Sequence, residues 1–129
     1  MNGRFLLDTN IVIALFAEDT LVQKGLAEAE KVFVPSIVLG ELYYGACKSL
    51  RTKENIAYVD EFAATSAVLG PTTVTAKEYG KIKSALRNKG CLIPENDIWI
   101  AAIAKQYGLT LVTRDEHFKE VDGITIEAW

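Results

Sequence analysis

This chain has little of what small domains use for covalent or soft-metal chemistry. Its 129 residues include one histidine, His117, and two cysteines, Cys47 and Cys91. The cysteines are far apart and form no CxxC or zinc-type spacing, which excludes a disulfide framework and a zinc finger or ribbon. They read as reduced thiols filling apolar space. No stretch approaches the roughly 20 apolar residues of a membrane span. Arg4 precedes an apolar segment, as in a signal peptide. Asp8 and Asn10 break that segment, however, and Ile11 to Ala17 runs into Glu18-Asp19 instead of a small-residue cleavage site. A basic surplus is also missing. The net charge of -3 argues against a generic, strongly basic nucleic-acid binder, but not against an enzyme that meets phosphates through metal ions. Repeats, linkers and low-complexity segments are absent. The expectation is one domain over residues 1–129, cytoplasmic, with no membrane association.

What is present has the composition of a globular domain, 50% apolar and 24% charged. Residues 4–7 form a short buried strand with Asp8 at its C-terminal end, and Asn10 caps a helix over 11–17. A helix over 21–30 and a strand over 32–34 follow. Pro35 stops that strand, and Ser36 caps a helix that carries Glu41 and runs to about residue 50. Thr52 caps a further helix to about residue 65, with Ile56, Val59 and Phe62 on one stripe. Ala67 to Leu69 is a strand. Thr75-Ala76-Lys77-Glu78 has the form of a capping box, opening a helix that Asn88-Lys89-Gly90 closes. Asn96 caps a helix over 97–107 that Gly108 ends. Strands over 110–113 and 124–126 complete the chain. Short apolar strands alternating with helices predict an α/β fold, a three-layer α/β/α sandwich around a mostly parallel sheet.

Four acids sit in apolar sequence, where carboxylates are rare: Asp8, Glu41, Asp97 and Asp115. Asp8 and Asp115 follow strands, where ligands of such sheets bind. Asp97 opens a helix, whose dipole favours negative charge. Glu41 shares a helix face with Ile37, Val38, Tyr44 and Gly45, and no capping role accounts for it. Gly40 and Gly45 beside it each cost about 1 kcal/mol in a helix relative to alanine, and are expected to allow close approach to another backbone. Asp8, Asp97 and Asp115 alone each have an ordinary explanation as a strand-end, cap or first-turn residue; Glu41 has none. Together they predict a cage of hard oxygen ligands. Two carboxylates about 4 Å apart repel by about 4 kcal/mol at an effective dielectric near 20, and a cation removes that cost. Oxygen ligands with no histidine or cysteine nearby favour Mg²⁺ or Mn²⁺ over zinc. Such ions orient and help ionise water and stabilise a pentavalent phosphate.

The ordered set Leu6-Leu7-Asp8-Thr9-Asn10, Pro35-Ser36-Ile37-Val38-Leu39-Gly40-Glu41-Leu42, Asn96-Asp97-Ile98-Trp99-Ile100-Ala101-Ala102 and Leu111-Val112-Thr113-Arg114-Asp115 resembles the PIN-domain family. It looks most like the VapC-type toxins of prokaryotic toxin–antitoxin systems. The resemblance covers essentially the whole chain. It implies a Mg²⁺- or Mn²⁺-dependent endoribonuclease acting on RNA, often structured RNA such as tRNA. Asp8, Glu41, Asp97 and Asp115 would take the acidic ligand positions, supported by Thr9, Asn10 and Thr113. It also implies a homodimer and a cognate VapB-type antitoxin whose C-terminal segment occupies a groove. Exposed parts of Phe16, Tyr43, Tyr44, Tyr58 or Phe62 could line that groove. Arg114 stands where the family often has a neutral polar residue, so it could contact phosphate or pair with an acid. Glu95 adds a carboxylate beside Asp97.

Other residues have plainer readings. His117 reads as a polar surface residue at the start of a short helix, with Phe118 anchored in the core, since metal-bound water needs no histidine. Lys77, Lys81, Lys83, Arg87 and Lys89, with Lys48, Arg51 and Lys53, are candidates for RNA-backbone contact or an ordinary solvated face. Trp99 reads as core or dimer surface. Trp129 either packs on the sheet or does nothing. Two other functions compete. A haloacid-dehalogenase type of phosphatase would use Asp8 as nucleophile but wants a second aspartate where Asn10 stands. A PIN-like scaffold would bind RNA or protein without cutting.

Overall fold

A computed structural model describes residues 3–129 of the chain. The elements follow in the order β1 (Arg4–Leu7), α1 (Thr9–Phe16), α2 (Thr20–Glu28), β2 (Lys31–Pro35), α3 (Ser36–Cys47), α4 (Thr52–Thr65), β3 (Ala67–Leu69), α5 (Thr73–Asn88), α6 (Glu95–Tyr107), β4 (Thr110–Val112), a 3₁₀ turn (Glu116–Glu120) and β5 (Thr125–Glu127). The strands form one sheet in the order β3-β2-β1-β4-β5. All its pairings are parallel.

The apolar strand sequences explain the layers. Successive residues of a strand face opposite sides, yet Phe5, Leu6 and Leu7 are all buried, as are Leu111 and Val112. Helices must therefore cover both faces, which is the expected three-layer sandwich. Helix α6 lies inside the domain, with Ile98 and Ile100 to Ala104 all buried. Its alanines let neighbours approach, and α5 packs along it.

The chain leaves β1 for β2 and β3 on one side, then returns to place β4 and β5 on the other. Strand order thus reverses between β1 and β4, the point at which open parallel sheets bind ligands. The register sets Leu7 opposite Val112, and the Asp8 N–H donates to the Val112 carbonyl at 3.0 Å.

Several helix starts differ from expectation. Asp8, not Asn10, caps α1, accepting from the Thr9 N–H. Asp19 caps α2 through the N–H groups of Leu21 and Val22. Ser36, Thr52 and Asn96 are already inside their helices, which begin after Pro35, Arg51 and Pro94 without a side-chain cap. The capping box of α5 joins Thr72 to Thr75, not Thr75 to Glu78. Short polar residues lie close together at each of these starts. Only the backbone path decides which one bonds.

The glycines of α3 do not serve close packing. A Cβ at Gly40 or Gly45 would meet nothing within 4 Å. Gly25 does: its Cβ would stand 2.4 Å from Trp129 Cδ2, because the indole packs edge-on against Phe5, with centroids 5.1 Å apart. Trp129 therefore seals the outside of α2 and β1. Gly25→Ala is expected to destabilise the domain by about 1–3 kcal/mol through overpacking. Gly40→Ala and Gly45→Ala should instead stabilise it by about 0.5–1 kcal/mol. Urea melts of the three variants check this. A Gly25→Ala protein as stable as the parent would mean that the indole is not anchored there.

Candidate metal centre

The reversal between β1 and β4 brings Asp8 and Thr113 together, each directly after its strand. Asp8 is only 3% exposed and Thr113 2%. Asp8 Oδ1 accepts from the Thr9 N–H at 2.8 Å. Its Oδ2 accepts from the Thr113 hydroxyl at 2.7 Å and from Asn10 Nδ2 at 3.2 Å. Thr113 Oγ1 also accepts from the Asp115 N–H at 3.0 Å, so one hydroxyl holds two of the acids in place. Glu41 arrives from α3, where its Oε1 accepts from the Thr9 hydroxyl at 2.9 Å. Asp97 enters from the first turn of α6.

The structure also delivers a residue that the sequence reading left at the surface. Asp115 caps the 3₁₀ turn, its Oδ1 accepting from the His117 N–H at 3.2 Å. That turn swings the imidazole back over the acids. His117 Nε2 lies 2.7 Å from Asp97 Oδ2 and 2.9 Å from Asp115 Oδ2. Asp97, Asp115 and His117 each offer a ligand atom, all within 4.8 Å of one another. The premise of an oxygen-only site with no histidine nearby is corrected accordingly. The signal was a histidine two residues after a strand-end aspartate, which becomes informative only once the turn between them is known. Phe118 is fully buried, as expected.

Electrostatics couple the acids to one another. Burial pushes the Asp8 carboxyl above its ordinary range, hydrogen bonds from Thr113 and Thr9 hold it back, and the Asp115 charge raises it again. Asp97 is also raised, first by burial, with His117 opposing and the charges of Asp8 and Asp115 adding to the rise. Desolvated carboxylates that repel one another are stabilised by a cation in their midst. The donor atoms of Asp97, Asp115 and His117 could hold a divalent ion; Asp8 stands outside that trio but within reach of its charges, and Glu41 is joined through Thr9.

The two uncertain neighbours lie outside this group. Arg114 Nη2 pairs with Asp19 at 2.9 Å, and its Nε donates to the Trp129 carbonyl at 2.7 Å. Its backbone N–H donates to Asn10 Oδ1 at 3.2 Å, which orients the amide that serves Asp8. Glu95 turns outward to Lys83 and the Tyr79 hydroxyl. Tyr79 stacks on Trp99, with centroids 4.1 Å apart.

Among the basic candidates, Arg51 pairs with Glu54 and Lys83 with Glu95, while Lys77, Lys81 and Arg87 form an exposed face of α5. Lys48 sits 4.7 Å over the Tyr44 ring. These two line an open groove with Thr9, Gly40, Glu41 and Asn96. Phe16 and Tyr58 line a second, more apolar groove with Ile13, Leu42 and Val59. Phe62 packs against Phe16. Tyr43 instead bonds Asp60. Among the described residues no helix is long and apolar enough to cross a membrane.

Known proteins share this architecture. The PIN domain profile matches residues 5–124. Ribonuclease VapC2 of Haemophilus influenzae is 39% identical over 129 residues, 98% of each chain. The tRNA(fMet)-specific endonuclease VapC of Salmonella typhimurium is 34% identical, again over 98% of each chain. Among solved structures, VapBC2 from Rickettsia felis bound to a promoter DNA fragment superposes with a TM-score of 0.89 at 30% identity, over 97% of this chain and 98% of that one. DNA-bound VapBC from Salmonella typhimurium gives 0.89 at 33% identity, over 100% and 99%. A parallel sheet with acids gathered at its reversal point, matched along nearly its whole length, places this chain in the PIN domain family.

Proposed function

We propose that the protein is an endoribonuclease dependent on Mg²⁺ or Mn²⁺, the toxin of a VapBC-type toxin–antitoxin pair. The observation that carries this reading is the convergence of Asp8, Asp97 and Asp115 at the β1–β4 reversal, with Glu41 joined through Thr9. Asp8, Asp97 and Asp115 would hold the metal, with Glu41 in reach of it. When bound, a divalent ion supplies Lewis-acid stabilisation of the phosphate and lowers the pKa of water. The chain's own residues do the rest. Thr113 and Asn10 fix the rotamer of Asp8. Thr9 aims Glu41 at the groove. Asn10, engaged by Asp8 and Arg114, offers no second acid for a phosphatase.

The substrate is RNA, with tRNA favoured by the specificity of the Salmonella relative. The partner is a VapB-type antitoxin, supported by the VapBC assemblies of the related structures. Its segment would lie along the groove of Phe16 and Tyr58. The toxin would act in the cytoplasm as a homodimer.

The test incubates pure protein with total RNA in Mg²⁺, Mn²⁺ or EDTA, beside Asp8→Ala. Cleavage is expected only for the parent with metal. Cleavage that survives EDTA or the substitution would overturn the metal–carboxylate mechanism. A folded protein that binds RNA and never cuts it would favour a scaffold.

A further inference from the structure

We infer that His117 is a direct nitrogen ligand of the divalent ion and turns the site's preference from Mg²⁺ toward Mn²⁺. This inference rests on the metal-centre reading of the same acids. Three observations meet in it. First, the 3₁₀ turn returns the ring to the cleft: Asp115 holds the His117 backbone N–H through Oδ1 and faces its Nε2 through Oδ2. Second, Nε2 stands 2.7 Å from Asp97 Oδ2 and 2.9 Å from Asp115 Oδ2. Ligands at about 2.1 Å from an octahedral ion lie about 3 Å apart along each edge. Nε2 thus stands at ligand-to-ligand distance from both carboxylates, and all three donor atoms lie within 4.8 Å of one another. Third, the ring comes from an element distinct from those carrying Asp8, Glu41 and Asp97, so it adds a vertex without displacing an acid. Mg²⁺ keeps to oxygen donors and water, whereas Mn²⁺, which shares its liking for carboxylates, is a first-row transition ion that also accepts an imidazole among them. A nitrogen in this set therefore favours Mn²⁺.

The chain has a single histidine, which makes the test direct. Untagged protein is loaded with Mn²⁺ and studied by electron spin-echo envelope modulation. An imidazole ¹⁴N coupling can come only from His117. The expected result is a directly coordinated nitrogen in the parent, absent in His117→Gln. Calorimetry should show Mn²⁺ affinity falling at least about tenfold in that variant, the scale of losing even an outer partner of a ligand, with Mg²⁺ affinity changing far less.

Bound Mn²⁺ without nitrogen coupling in the parent would overturn the inference, as would unaltered Mn²⁺ affinity in the variant or no Mn²⁺ binding at all. The parent spectrum decides even if His117→Gln folds poorly. RNA cleavage assayed in the same samples separates the two readings. Cleavage without nitrogen coupling overturns the ligand role alone, and coupling without cleavage in any metal overturns the nuclease alone.

Discussion

Asp97→Asn is expected to cut RNA cleavage by at least about 10²-fold while making the metal-free protein harder to melt. The two effects have one cause. Burial and the charges of Asp8 and Asp115 raise the Asp97 carboxyl above its ordinary range, so its anion is held at a cost to the folded state. Asparagine keeps the shape, and its carbonyl can still meet His117 Nε2, but it carries no charge. Stability in EDTA should therefore rise. Activity should fall by at least about 10²-fold, the usual loss when one preorganised electrostatic group is removed from an active site. Cleavage rates in Mn²⁺ and thermal melts in EDTA measure both. Retained cleavage would remove Asp97 from the machinery. A lower melting temperature would mean that its charge is compensated in the metal-free protein.

Added metal should raise the melting temperature most at neutral pH. The folded pKa values of Asp8 and Asp97 are raised. Their favourable contribution is thus complete below the unfolded carboxyl value, about 3.9, and is lost as pH rises through the folded values. Asp19 and Glu95 are lowered by Arg114 and Lys83 respectively and act in the opposite sense, but as solvent-exposed pairs they carry little weight. Removing protons leaves anions for the ion to bind. At a hundredfold excess over Kd, an ion adds about 2.7 kcal/mol, roughly 10 °C for a domain of this size. The shift should shrink toward pH 4 as the carboxyls protonate, and should be much smaller in the Asp8→Asn/Asp97→Asn double variant. Scanning fluorimetry across pH, with and without Mn²⁺, reads it. A melting temperature indifferent to millimolar Mn²⁺ would count against the centre.

Glu41 shows how far one-dimensional reasoning reaches. A carboxylate among Ile37, Val38, Leu39 and Leu42 with no cap to serve pointed to the cleft, and the structure ties it to Thr9 beside Asp8. The inference from its flanking glycines failed, because Gly40 and Gly45 open onto a groove instead of packing. A missing side chain looks the same in sequence whether a backbone or solvent fills the space. Asp8 and Asp115 carry both of the roles that had been set against each other: each caps a helical turn and each belongs to the acidic group. A helix start and an anion-rich cleft both lie at the carboxyl end of a parallel strand, so the two explanations never competed.

Local chemistry alone determined the layer architecture, the strand and helix sequence, and which carboxylates lacked an ordinary reason to sit in apolar sequence. These follow from short-range periodicity and from the cost of desolvating charge. Only the tertiary structure decided that β4 lies beside β1, and hence that Asp8 meets Thr113 across 105 residues of chain. The same holds for Arg114, whose ion pair with Asp19 spans 95 residues. It holds most for His117, which keeps its expected, partly exposed place at the start of a short helix yet lies within 2.7 Å of Asp97. Strand order and the direction of a turn depend on long-range packing, to which neither periodicity nor spacing along the chain is sensitive.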